Sequence, residues 1–94
     1  MKLRWTEGAV ENLRSAYGYL DAENPAAASD VIDQIVSALE RLERFPQMGR
    51  AGRVEGTREV VVTGTPFVVA YRLEGESIQI LAVLHGARKW PMKF

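Results

Sequence analysis

Lys2-Leu3-Arg4-Trp5 alternates polar and apolar side chains and predicts a short first strand. Thr6 follows as an N-cap candidate, with Glu7 placed to meet the positive end of a helix dipole. Val10, Leu13, Tyr17 and Leu20 then recur at helical spacing, predicting a helix with one apolar face. The stretch "DAENPAAA" interrupts and restarts this pattern: Asn24 can cap, and Pro25 suits the first helical position, where its missing N–H costs nothing. Ala28, Val31/Ile32, Ile35, Ala38/Leu39 and Leu42 carry the 3.6-residue period on to Phe45 as the longest element. A connection of roughly four residues makes these two helices an antiparallel hairpin.

Pro46 ends the second helix, and "PQMGRAGRVEG" (46–56) reads as a Gly-rich basic loop. Three β-rich runs follow, Arg58–Thr63, Phe67–Leu73 and Ile78–His85, separated by turn-like Gly64-Thr65-Pro66 and Glu74-Gly75-Glu76-Ser77. They predict an antiparallel meander. With Gly75-Glu76 as a two-residue turn, Leu73 pairs with Ile78, Arg72 with Gln79 and Val69 with Ala82. That register gives one continuous apolar face (Phe67, Val69, Tyr71, Leu73, Ile78, Ile80, Ala82, Leu84) for the helices to cover. The other face (Val68, Ala70, Arg72, Gln79, Leu81, Val83, His85) is half apolar, and nothing in the chain obviously covers it. The order β-α-α-β-β-β makes an α+β fold, and 94 residues suit a single domain spanning 1–94.

Composition narrows the function classes. Apolar residues make up 47% and charged residues 26%, an ordinary globular balance, and no apolar run approaches the ~20 residues that span a bilayer. With no secretory signal pattern at the start, a cytoplasmic location is expected. The absence of cysteine excludes disulfides and thiolate zinc sites; a single histidine leaves no dedicated metal site, and no cofactor is expected. Zero net charge conceals an asymmetry: residues 1–47 carry five Lys/Arg against eight Asp/Glu, residues 48–94 seven against four. Overall neutrality argues against non-specific coating of nucleic acid, so any such site must be local.

The candidate chemistry gathers at the C-terminus in "LAVLHGARKWPMKF". Metal-free RNA cleavage needs a base, an acid and a cation on the phosphate. His85, of the one side-chain type that ordinarily exchanges protons near neutrality, can serve as acid or base; Arg88 with Arg58 or Arg72 can clamp the phosphate. Glu55 or Glu59 is the nearest second proton carrier, and the alternative use of His85 is to cap the strand end. Arg50 and Arg53 flank the glycines of "GRAGRVEGTR", which lacks the GxxxxGK[ST] order of a nucleotide loop but can contact a macromolecule.

In order and spacing, "ENPAAA", "RFPQMGRAGRVEGTREVVV", "FVVAYRL" and "VLHGARKWP" resemble the RelE/ParE superfamily, the toxins of bacterial type II toxin–antitoxin pairs. The resemblance covers nearly the whole chain. It implies a growth-arresting toxin held inactive by a cognate antitoxin, with Arg50, Arg53, Val68, Leu81, Val83, Lys89 and Trp90 available to partner or target. RelE-like members cut mRNA on the ribosome, whereas ParE-like members block DNA gyrase. Arg88 matches the C-terminal cation of the nucleases. The arginine they carry early in the "PFVVAY" strand is replaced by an apolar residue, Val68, and their preceding lysines are absent from "REVVVTG". With a pI of 6.6, the ParE-like reading leads and the RelE-like mRNA interferase is the alternative.

Overall fold

A computed structural model describes residues 1–87 and 90–94, in the order β1 (Lys2–Trp5), α1 (Glu7–Glu23), α2 (Pro25–Arg44), β2 (Arg50–Ala51), β3 (Arg58–Val61), β4 (Phe67–Glu74) and β5 (Ser77–His85). The strands form one five-stranded sheet, β1-β5-β4-β3-β2. The α+β fold expected from the sequence is present, with one addition: Arg50–Ala51 in the basic loop pairs antiparallel with Arg58–Glu59 as a short edge strand. The first strand closes the opposite edge, running parallel to β5 with Leu3 beside Ile78 and Trp5 beside Ile80.

Local chemistry sets the element ends. Thr6 caps α1, its Oγ1 accepting from the Ala9 N–H at 3.1 Å. Asn24 serves both helices: its N–H donates to the Leu20 carbonyl at 2.7 Å, and its side chain accepts from the N–H groups of Ala26 and Ala27. The interhelical connection is therefore one residue, shorter than expected. Pro25 forces its predecessor out of the helical region, and Asn24 duly sits at φ −161°, ψ 101°, while Asp21–Glu23 complete α1. Pro46 stops α2 in the same way through Phe45.

The hairpin pairs Ile35, Ala38, Leu39 and Leu42 of α2 with the sheet, as the period predicted. On α1 the stripe is shifted. Ala9 is buried and Leu13, Ala16 and Leu20 pack on the core, whereas Tyr17 is exposed. Small Ala9 and Ala16 let α1 approach the sheet where a tyrosine ring could not.

β4 and β5 form a hairpin around Gly75-Glu76, with Gly75 at φ 59°, which glycine adopts without a Cβ penalty. Leu73 pairs with Ile78 and Arg72 with Gln79, as expected. Past Tyr71–Ile80 the register shifts: Ala70 pairs with Ala82 and Val69 with Val83, not Ala82, leaving Leu81 as an extra residue. The bulge lies where β1 gives way to α1. There Thr6 donates its N–H to the Ile80 carbonyl, and its Oγ1 lies 3.2 and 3.3 Å from the Ile80 and Leu81 carbonyls.

One extra residue exchanges the faces of everything after it. Val83 joins the helix-side core beside Val69, and His85 faces Phe67 on the same side, their rings edge to face at 6.0 Å. Ala82 and Leu84 turn to the second face instead. The expectation that Val83 and His85 lie on that second face is thus reversed. The expectation that it is uncovered also fails, since Val68, Ala70 and Leu81 are buried within the chain itself. The C-terminal segment supplies part of the cover: Gly86 lies beside Val68, where an added Cβ would be in van der Waals contact with Cγ2 at 3.4 Å.

Candidate functional site

Alternation and register assign each candidate side chain a face and a level in the sheet. Arg58 lies opposite Tyr71, on the helix side, and its guanidinium donates to the carbonyls of Gln47 and Gly49 at 3.1 and 2.9 Å. It is committed to the turn after α2. Arg72, next to Tyr71, points to the opposite face in a row with Gln79 and Arg4. His85 pairs with Phe67 at the far end of β4, five residues from Arg72 or roughly 17 Å at the usual strand rise. Its Nδ1 accepts the Ala87 N–H at 3.1 Å, the strand-end cap that the sequence allowed as an alternative. Arg58, Arg72 and His85 therefore do not converge on a common reacting atom. Arg88 and Lys89 lie outside the described residues.

Of the two proposed proton carriers, Glu55 is exposed in the loop. Glu59 has a side chain only 2% exposed. It pairs with Ala70 on the second face, and both its oxygens are engaged. Oε2 accepts the Arg53 N–H at 2.7 Å; Oε1 meets Arg50 Nη2 at 3.2 Å and Arg53 Nε at 3.7 Å. Buried and doubly paired, Glu59 organises the loop rather than serving His85. Arg53 extends further, donating to the Gly86 carbonyl at 3.1 Å and stacking its guanidinium 3.9 Å from the centre of the Trp90 ring. Trp90 in turn donates its indole N–H to the His85 carbonyl. Arg50, Arg53 and Trp90, separate in the sequence, thus form one basic and aromatic surface joining the loop to the C-terminal segment.

The loop is held from below by Tyr71. Its hydroxyl donates to the Pro46 carbonyl at 2.8 Å and accepts the Gly49 N–H at 2.9 Å. Burial pushes the phenol above its ordinary pKa of 10.0, while the Gly49 hydrogen bond and the Arg58 charge pull the other way. Gly49 is required for this approach, because a Cβ there would come within 2.5 Å of the hydroxyl.

On the helix side, a cleft of about 540 Å³ opens between α1 and the far ends of β4 and β5. Ala16, Leu20, Val31, Phe67 and Val83 give it an apolar floor, with His85 and Tyr19, the latter 65% exposed, at its rim. Pairing with β1 ends at Ile80, so among the described residues the edge of β5 beyond it has no strand neighbour on that side. The Val83 N–H on this edge is satisfied by Asn12 Oδ1 at 3.2 Å. Sequence reasoning missed the cleft: Asn12, Ala16 and Tyr19 carry no pattern of their own, and Val83 reaches it only because of the bulge.

Residues 3–90 match the family described as the ParE toxin of the type II toxin–antitoxin system parDE. The chain is 34% identical over 90 residues to the protein called "Putative toxin Y4kP" of Sinorhizobium fredii, covering 96% of this chain and 93% of that one. It is 29% identical over 84 residues to Toxin RelE2 of Caulobacter vibrioides, covering 89% and 93%. Among solved structures, a chain of the chromosomal ParDE system from P. aeruginosa superimposes with a TM-score of 0.75 at 28% identity, over 90% of this chain and 95% of that one. A YoeB/ParE toxin from Agrobacterium tumefaciens shares the fold, with a TM-score of 0.61 at 17% identity over 90% and 98%. With a match that leaves out only the first two residues and the last four, and a fold shared with a ParDE protein, the chain belongs to the ParE toxin family of type II toxin–antitoxin systems.

Proposed function

We propose that this toxin acts by binding and inhibiting DNA gyrase rather than by cutting mRNA. The observation that carries this reading is the separation of Arg58, Arg72 and His85. Arg58 is spent on backbone carbonyls, and Arg72 and His85 lie on opposite faces at opposite ends of β4 and β5. A phosphodiester needs its acid, base and cation within hydrogen-bond reach of one phosphate. The target surface in this reading is the basic one formed by the loop and C-terminal segment, with Arg50, Arg53 and Trp90, and with Lys89 assigned to it on sequence alone.

The antitoxin occupies the other side. The cleft beside α1 combines an apolar floor with an unpaired stretch of β5 edge, which suits an extended segment that adds main-chain hydrogen bonds along β5 and sends apolar side chains between Ala16, Leu20 and Phe67.

Two assays run in parallel decide the target. Purified toxin is expected to inhibit gyrase supercoiling and to leave mRNA intact in a translating extract. Ribosome-dependent cleavage that disappears in His85→Ala would establish the mRNA interferase instead.

A further inference from the structure

The Glu59–Arg53–Trp90 chain does more than create a basic patch. Glu59 fixes Arg53 twice through one buried carboxylate, at the backbone N–H and at Nε. Held at both points, Arg53 carries its guanidinium over the Trp90 ring while Nη2 reaches the Gly86 carbonyl. Gly86 is held a second time, its N–H donating to the Pro66 carbonyl at 2.8 Å, and Trp90 a second time through its indole bond to His85. In sequence, Gly86 and Trp90 bracket the Arg88–Lys89 pair. Among the described residues no regular element follows His85, so these contacts are what hold Gly86 and Trp90 in place.

We propose that Arg53, aimed by Glu59, is a positioning residue that latches the C-terminal segment onto the second face of the sheet, and that target binding depends on this latch while antitoxin binding does not. The dependence on target rests on the reading above, in which the loop and C-terminal segment form the target surface; the latch itself does not. Arginine is required rather than lysine. A planar guanidinium can stack on indole, bond a carbonyl and face a carboxylate simultaneously, whereas a lysine ammonium is a point charge that cannot do all three. Arg53 and Trp90 are not among the residues lining the cleft beside α1, whose floor is on the helix side of the sheet, although the cleft reaches Pro66 and His85, whose carbonyls anchor Gly86 and Trp90.

The test uses the full chain. Arg53→Lys and Trp90→Leu alter a residue whose side chain is 42% exposed and one that is partly exposed, so the fold survives; Glu59→Gln tests the buried end. Three readouts are compared: the Trp90 indole N–H resonance, with Trp5 as internal reference; growth arrest in cells; and affinity for the antitoxin. In Arg53→Lys the Trp90 signal is expected to move towards that of solvent-exposed indole and its exchange with water to rise at least tenfold, with Trp5 unmoved. Growth arrest should fall about tenfold in Arg53→Lys and in Trp90→Leu and no further when the two are combined, Glu59→Gln should move the Trp90 signal in the same direction, and antitoxin affinity should stay within twofold of wild type in each. An unmoved Trp90 resonance overturns the latch. A moved resonance with undiminished growth arrest, or losses that add in the double variant, overturns its positioning role. Wild-type toxin that arrests growth without inhibiting gyrase defeats the gyrase reading alone, because the latch is judged on growth arrest.

Discussion

Tyr71→Phe isolates one hydroxyl at the junction between core and loop. The ring is fully buried and stays in place, so no cavity opens and the apolar packing is unchanged. The Gly49 N–H, on a buried residue, loses its acceptor; the Pro46 carbonyl, only partly buried, can turn to water. An orphaned buried donor costs about 1–3 kcal/mol, and the carbonyl adds little, so the variant should lose about 2 kcal/mol of stability. For a domain of this size that lowers Tm by about 8–16 °C. Urea unfolding followed by circular dichroism measures it, with the midpoint moving at constant slope. A second arm uses pH. Burial holds the folded phenol above 10.0, whereas the unfolded phenol titrates near that value. As pH rises past 10 the unfolded chain releases this proton while the folded chain retains it; the folded state then binds more protons and stability falls until pH passes the folded pKa. Below pH 10 this group contributes no pH dependence. The phenylalanine variant lacks that alkaline fall, so its deficit relative to wild type should shrink above pH 10. A well-folded variant losing less than about 0.5 kcal/mol at neutral pH would refute the satisfied-donor argument.

Ala16→Arg places a long cation on the floor of the α1 cleft and should weaken antitoxin binding at least 30-fold, about 2 kcal/mol, while leaving growth arrest by free toxin intact; calorimetric titration against the antitoxin measures it. Unchanged affinity would remove the cleft from the antitoxin's path. Asn12→Ala removes the side-chain acceptor of the Val83 N–H at the β5 edge and should cost about 1 kcal/mol; amide hydrogen exchange at Val83 should quicken about fivefold, and an unaltered rate would mean that water already serves this group.

Much of the architecture is legible locally. Thr6, Asn24-Pro25, Phe45-Pro46 and Gly75-Glu76 act within a few residues of themselves, through a cap, a steric restriction or a turn, and each sits where the sequence places it. The α2 stripe is legible for the same reason, since a helix repeats its face whatever it packs against. Even the one-residue interhelical turn follows from Pro25 once the helix-compatible Asp21–Glu23 are allowed to complete α1. The three later strands and their order need only alternation and turn residues, and family membership follows from these elements together.

What the sequence does not state is which distant backbone meets which strand. The Leu81 bulge arises where Thr6 engages the Ile80 and Leu81 carbonyls, a contact across more than seventy residues, and a period-two reading has no term for it. That single insertion moves Val83 and His85 to the helix side and builds the cleft. Glu59 shows the same limit: in "REVVV" it is a charge in an apolar strand, eligible as a proton carrier, and only the return of the Arg50–Arg53 loop over its carboxylate makes it a buried anchor. From sequence alone the second sheet face is uncovered; in the fold Val68, Ala70 and Leu81 on it are buried within the chain, in part by the C-terminal segment at Gly86. Local sequence therefore determined the two helices, the four longer strands and the residues that cap or turn most of them, and with these the family; the short edge strand Arg50–Ala51 was not among them. Tertiary structure decided which face each functional side chain occupies and which of them meet, because strand register and loop closure are set by long-range contacts that no short window of sequence contains.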